Sequence, residues 1–224
     1  MELKTNKLTL KKALLIYIVL FYAAWTVYEM LCRKHLDSAI NNDLIVELCE
    51  TVIKNLVWTL PAVLLIHKYS SDVHVKLKEM FAAKVNWLKY LPYFAFFTAY
   101  ILVNAYSQYG EIKIQSDFGI ASIITVLFVG LEEEMVFRGW LLNATVKEDK
   151  KRQYILLNAV MFVIIHFPIW IRTGSFVSAF THFGFIIILF LSVIFSTEFL
   201  KSKNILVPIA LHMYWDLLAF MFVG

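Results

Sequence analysis

Gly130-Leu131-Glu132-Glu133-Glu134-Met135-Val136-Phe137-Arg138-Gly139 places three consecutive carboxylates and an arginine inside an apolar run over residues 120–146. A run of that length can cross a bilayer, which needs about 20 residues at ~1.5 Å rise each. One acid near the middle of a spanning helix costs roughly 2.5–3.5 kcal/mol on insertion scales. Three in a row predict that something inside the membrane needs them.

Working outward, the rest of the chain is just as apolar. Of 224 residues, 60% are hydrophobic and 16% aromatic, and the mean hydropathy is +0.69. Soluble domains run nearer ~45–50% apolar and could not bury so much. The runs are long and continuous, unlike the alternating segments of a barrel. The sequence therefore predicts an all-α, polytopic transmembrane helical bundle. The net charge of +4 is no nucleic-acid signature, because the basic residues fall in short clusters beside the apolar runs. Cys32 and Cys49 fit no CxxC or zinc spacing and read as packing thiols at membrane boundaries.

About seven spans follow in order: residues 13–32, 44–66, 88–106, 120–146, 154–171, 176–200 and 205–223. The first is too long for a signal peptide and has no clear cleavage site, so it reads as retained. The second is interrupted by Glu47, Glu50 and Lys54, of which Glu50 and Lys54 sit four apart and can pair on one helix face. Pro61 predicts a kink. Residues 67–87 alternate basic and apolar character, as an amphipathic helix on the cytoplasmic face would, with His67 and His74 on its surface.

With the N-terminus cytoplasmic, the inner segments would hold Lys4, Lys7, Lys11 and Lys12, then the basic residues of 68–89, 147–152 and 201–203. The outer segments would hold only Arg33, Lys34, Lys113 and Arg172. The positive-inside bias thus agrees at every inner loop. Residues 1–119 read as N-terminal transmembrane helices with an amphipathic cytoplasmic segment, and 120–224 as a core of four further helices.

Few polar groups remain inside the spans: Glu132, Glu133, Glu134 and Arg138 on the fourth, His166 on the fifth, His182 on the sixth, His212 and Asp216 on the seventh. Glu134 and Arg138 are four apart with the acid first, the better order for a helical ion pair. Phe162 with His166, and His212 with Asp216, likewise share a face. At ~1.5 Å per residue, Glu133, His166 and His212 fall roughly 20, 18 and 12 Å from the inner ends of their helices, so three helices can bring them together. A carboxylate and a histidine sharing a water make a general base, and a second histidine could serve an oxyanion. Glu133, His166 and His212 would equally suit zinc with an open position. Glu132, rotated about 100° from Glu133, is expected to face a polar lumen, and His182 to be a core histidine. HExxH, GxSxG and GxGD patterns are absent.

These residues resemble the CAAX protease and bacteriocin-processing (CPBP, or Abi) family of intramembrane proteases. Its EExxxR motif reads as Glu133-Glu134-Met135-Val136-Phe137-Arg138, its FxxxH as Phe162 to His166, and its HxxxN/D as His212 to Asp216. The resemblance covers about residues 120–224. It implies an intramembrane endopeptidase of the bacterial cytoplasmic membrane, acting on a membrane-associated peptide or protein. Glu133 and His166 would activate water, Glu134, Arg138 and Phe162 would shape the site, and His212 with Asp216 would stabilise the oxyanion. Asp216 departs from the asparagine of the eukaryotic Ras-converting members, and a carboxylate donates a hydrogen bond only when protonated; it is expected to orient His212 instead. A water activated directly by glutamate and histidine accounts for the motifs without an essential metal, and zinc stays the alternative. Non-enzymatic bacteriocin immunity or membrane scaffolding, and proton-coupled transport, are the competing readings.

Overall fold

A computed structural model describes residues 9–224; Lys4 and Lys7 lie outside the described residues. The described chain is helical and without strands. Hydrocarbon offers the backbone no hydrogen-bond partner, so each spanning segment must satisfy its own amides, which a helix does. α1 (Leu10–Val27) runs through a π-type turn at Tyr28–Cys32 into α2 (Arg33–Ala39). α3 (Asp43–Lys54), capped by the Asn42 side chain on the Ile45 amide, continues through a second π-type turn at Asn55–Thr59 into α4 (Leu60–Lys68). After the short α5 (Leu77–Ala82) come α6 (Leu91–Tyr109) and α7 (Ile120–Glu134). A third π-type segment, Met135–Leu142, joins α7 to α8 (Asn143–Thr145). The last helices are α9 (Lys151–Ile164), α10 (Phe167–Arg172), α11 (Phe176–Thr181), α12 (Gly184–Ser202) and α13 (Leu206–Phe222).

Each expected span has a helix. Four helical stretches among the described residues are long and apolar enough to cross a membrane: Leu10–Ala39, Asp43–Lys68, Glu148–Arg172 and Gly184–Ser202. Leu15, Val19, Leu20, Leu64 and Val103 stay exposed on the outer faces, as a chain surrounded by lipid tails allows.

Two spans differ from the sequence reading. The fifth is broken at Ile165–His166, because Pro168 has no N–H and its ring crowds the carbonyl four residues back. The sixth is broken at His182–Phe183, where Phe183 adopts a left-handed φ of 59° and ends α11. His182 is consequently exposed and is not a core histidine. The amphipathic helix expected over 67–87 is reduced to α5. Val75 and Met80 turn inward and are buried, while Asn143 clamps the segment with Nδ2 to the Val75 carbonyl at 2.8 Å and Oδ1 from the Val75 amide at 2.7 Å. Main-chain pairing inside the bundle outcompetes a surface position. His67 is exposed as expected and His74 is half-buried. Cys49 is half-buried, whereas Cys32 is exposed and does not pack.

The connections gather at two ends. At one, Asn204 Nδ2 donates to the Ala83 carbonyl at 2.6 Å and the His74 amide to the Asn143 carbonyl at 2.9 Å, so 74–83, 143–148 and 203–205 meet. At the other, Arg172 reaches Glu29 at 2.5 Å, Arg33 reaches Glu47 at 2.9 Å, and Gln115 Nε2 donates to the Phe222 carbonyl at 3.1 Å.

Candidate active site

α7 carries the three glutamates at its C-terminal end, and they part company there. Glu132 is fully buried and accepts from Asn55 Nδ2 at 2.5 Å. It faces the helix of the N-terminal half, not a polar lumen, because the ~100° turn per residue aims it at α3 and its continuation. Glu134 is also fully buried. Its Oε1 takes Arg138 Nη1 at 2.7 Å and lies 2.9 Å from His212 Nδ1. Glu133 keeps 9% exposure and borders a cavity of about 530 Å³.

Arg138 lies in the π-type segment that begins one residue after Glu134; such wide turns concentrate at functional sites. Its guanidinium is fully buried, and all three nitrogens donate. Nη2 donates to Ser192 Oγ at 2.6 Å and to the Ser192 carbonyl at 3.1 Å, and Nε to Ser196 Oγ at 3.3 Å. The face of the group lies 4.5 Å from the Phe162 ring centre, a cation–π contact that strengthens where water is excluded. Ser196 in turn donates to Asn158, whose amide caps the Phe137 carbonyl at 2.9 Å. Phe162 touches the site again, its centroid 5.3 Å from that of His166 and 5.8 Å from that of His212.

The break before α10 sets His166. Its Nδ1 is 2.8 Å from the Phe162 carbonyl. A carbonyl only accepts, so Nδ1 carries the hydrogen and Nε2 keeps its lone pair. His166, Glu133 and Asp216 line the same cavity. His212 sits behind that wall at 5% exposure, stacked on Phe195 at 5.1 Å between centroids. Its Nε2 is 3.3 Å from Asp216 Oδ2 and 4.0 Å from Glu133 Oε2. Each ring nitrogen of His212 thus faces a carboxylate, Nδ1 that of Glu134 and Nε2 that of Asp216.

Zinc held by Glu133, His166 and His212 is the alternative reading. Among the described residues, no three of His, Cys, Asp or Glu converge on a point where an ion could sit. No step below is routed through a metal.

The close approach of α7 to α13 needs Gly130. A Cβ there would stand 2.6 Å from Met213 Cγ and 3.4 Å from the Met213 amide nitrogen, so the absent side chain lets the glutamate helix approach the helix of His212 and Asp216.

Residues 115–218 match the family model described as type II CAAX prenyl endopeptidase Rce1-like. That stretch of the chain is similar to the Rce1-like family. The match contains all three motifs and agrees with the CPBP resemblance read from them. It is to a family of endopeptidases, and with the apolar helices it makes this a membrane protein. No curated protein and no solved structure shows significant similarity to the chain.

The Rce1-like stretch does not build the cavity alone. Trp25, Arg33, Glu47, Glu50 and Lys54 from the N-terminal helices supply the facing wall. Glu50 pairs with Lys54 at 2.5 Å, as the four-residue spacing foretold, and also with Arg33. Lys54 lies over the Trp25 and Trp58 rings at 4.8 and 5.4 Å, and Thr125 Oγ1 on α7 donates to Glu47 at 2.9 Å. The sequence signal for this wall was the polar interruption of the second span and the acid Glu29 in the first. Neither says which later helix it meets.

Proposed function

We propose that the protein is an intramembrane endopeptidase that hydrolyses a peptide bond of a membrane-associated peptide or protein with a water activated by Glu133 and His166. The observation that carries this reading is that Glu133, His166 and Asp216, from three different helices, border one cavity while Glu134 and Arg138 lock the structure beneath them. An ionised Glu133 and a His166 whose Nε2 is a bare lone pair are both acceptors. A water between them donates a hydrogen to each and turns its own lone pair outward.

That oxygen attacks the scissile carbonyl carbon as Glu133 takes the proton. The carbonyl oxygen becomes an oxyanion, and a proton carried between His212 Nε2 and Asp216 Oδ2, 3.3 Å apart, is the donor this reading assigns to it. When the C–N bond breaks, the proton held by Glu133 passes to the leaving nitrogen. The products are a carboxylic acid and an amine, and the carboxylate of Glu133 is regenerated. The sequence led us to expect His212 as the oxyanion donor with Asp216 behind it; in the cavity Asp216 is in front and His212 behind, so the pair acts as one unit.

The test is reconstitution into lipid vesicles with membrane proteins from the source cells, comparing wild type with Glu133→Ala and His166→Ala. The wild type yields at least one shortened peptide that both variants leave whole. Equal cleavage by all three discards the reading. A binding-only immunity or scaffold role would instead survive Glu133→Gln unchanged.

A further inference from the structure

The cavity has a mouth, and the loops around it mark a side of the membrane. Its wall climbs α7 from Glu133 through Val129 and Thr125 to Ser122, about 16 Å at ~1.5 Å per residue. At the top stand Asp43 and Asp117, both exposed, with Arg33 and Arg172 beside them. Hydrogen bonds and ion pairs join this end to 29–47, 115 and 172 and to the end of α13. The opposite end gathers 74–83, 143–148 and 203–205. Lysine and arginine are divided very unequally between them. The segments 68–89, 147–152 and 201–203 at the far end contain eleven, and the segments that frame the mouth contain four: Arg33, Lys34, Lys113 and Arg172. Three of those four are bound in ion pairs, Arg33 with Glu47, Lys113 with Glu111 and Arg172 with Glu29.

Short loops rich in lysine and arginine stay on the cytoplasmic side during insertion. The end that carries eleven is therefore the cytoplasmic one, and the cavity opens away from it. At the cytoplasmic end the way to Glu133 is filled: Trp140, Leu142, Met80 and Ile205 are buried there in one apolar cluster, and Asn143 ties the Val75 strand of chain across it.

We propose that the site is served from the non-cytoplasmic side of the membrane, so that its substrate is a polypeptide segment presented on that face, such as an exported peptide or the outer portion of a membrane protein. The word substrate rests on the proteolytic reading above; the direction of access does not. The cytoplasmic tail of a protein would have to pass the plugged end to reach the same carboxylate.

The experiment reads accessibility without needing activity. Cys32 and Cys49 are replaced by serine in the full chain, and single cysteines are introduced as Lys113→Cys in the mouth-side loop, Ser122→Cys on the cavity wall and Lys150→Cys in the far loop. Intact cells are treated with a membrane-impermeant maleimide, then compared with inverted vesicles and with detergent-solubilised protein, which confirms that each thiol reacts at all. The expected result is labelling of Lys113→Cys and Ser122→Cys in intact cells and of Lys150→Cys in inverted vesicles. Labelling of Lys150→Cys in intact cells overturns the proposal by reversing the orientation. Labelling of Lys113→Cys but not Ser122→Cys from outside also overturns it, because the cavity is then closed on that face. If Glu133→Ala cleaves as well as wild type, the proteolytic reading fails while the labelling pattern stands, so the two failures are told apart.

Discussion

His212 is held by Glu134, with Nδ1 and Oε1 2.9 Å apart, and Glu133, one residue earlier, is left at 4.0 Å from the same ring. Neighbouring carboxylates in one helix point about 100° apart, and this difference divides the pair into an anchored acid and a cavity-facing one.

Removing the anchor should damage both stability and cleavage. Glu134→Ala leaves the buried Arg138 guanidinium without its carboxylate, which typically destabilises by ~3–5 kcal/mol. It also frees His212, and misplacement by an ångström can lower a rate ~10²-fold. Thermal unfolding in detergent together with peptide cleavage checks both effects.

Glu133→Gln should separate the two readouts. Among the described residues the one polar contact that Glu133 makes is the long 4.0 Å approach to His212, so stability should stay within about 0.5 kcal/mol of wild type. Cleavage should fall ~10²–10⁴-fold, the usual worth of a general base. A large drop in melting temperature would show that Glu133 is structural.

Glu50→Ala should destabilise by about 3–5 kcal/mol, because Lys54 is then a buried cation without its paired carboxylate. Glu50→Ala combined with Lys54→Ala should recover part of that loss. A double-mutant cycle on unfolding reads the coupling; strict additivity would mean that the pair contributes nothing.

Gly130→Leu should force α7 away from α13, since even a Cβ would stand 2.6 Å from Met213 Cγ. Overpacking of this kind costs about 1–3 kcal/mol. Cleavage should fall further than Gly130→Ala makes it fall, as Glu133 and His212 separate. Activity and unfolding measured on both variants test the order.

Much of the fold was legible because the bilayer makes it so. Apolar runs long enough to span must become helices, and the resemblance to three family motifs singles out Glu133, Glu134, Arg138, Phe162, His166, His212 and Asp216. The Glu50–Lys54 and Glu134–Arg138 pairs were equally readable, because four residues make one helical face. The helix breaks were harder. Pro168 was visible in the sequence, yet the apolar character runs straight through it, and hydropathy carries no information on backbone geometry. The left-handed Phe183 had no signal at all.

The sequence determined a membrane-embedded bundle of helices, an acid–histidine set and the face of each helix on which every polar group lies, since these follow from composition and the helical repeat. Only the tertiary structure decided which helices those faces meet. It put Glu132 against Asn55 and not in a lumen, Asp216 in front of His212, exposed His182, and made Trp25, Arg33, Glu47 and Lys54 the far wall of the cavity that Glu133, His166 and Asp216 border. Such choices depend on shape-fitting between elements distant in the chain, as at Gly130 and Met213, and no local pattern encodes them.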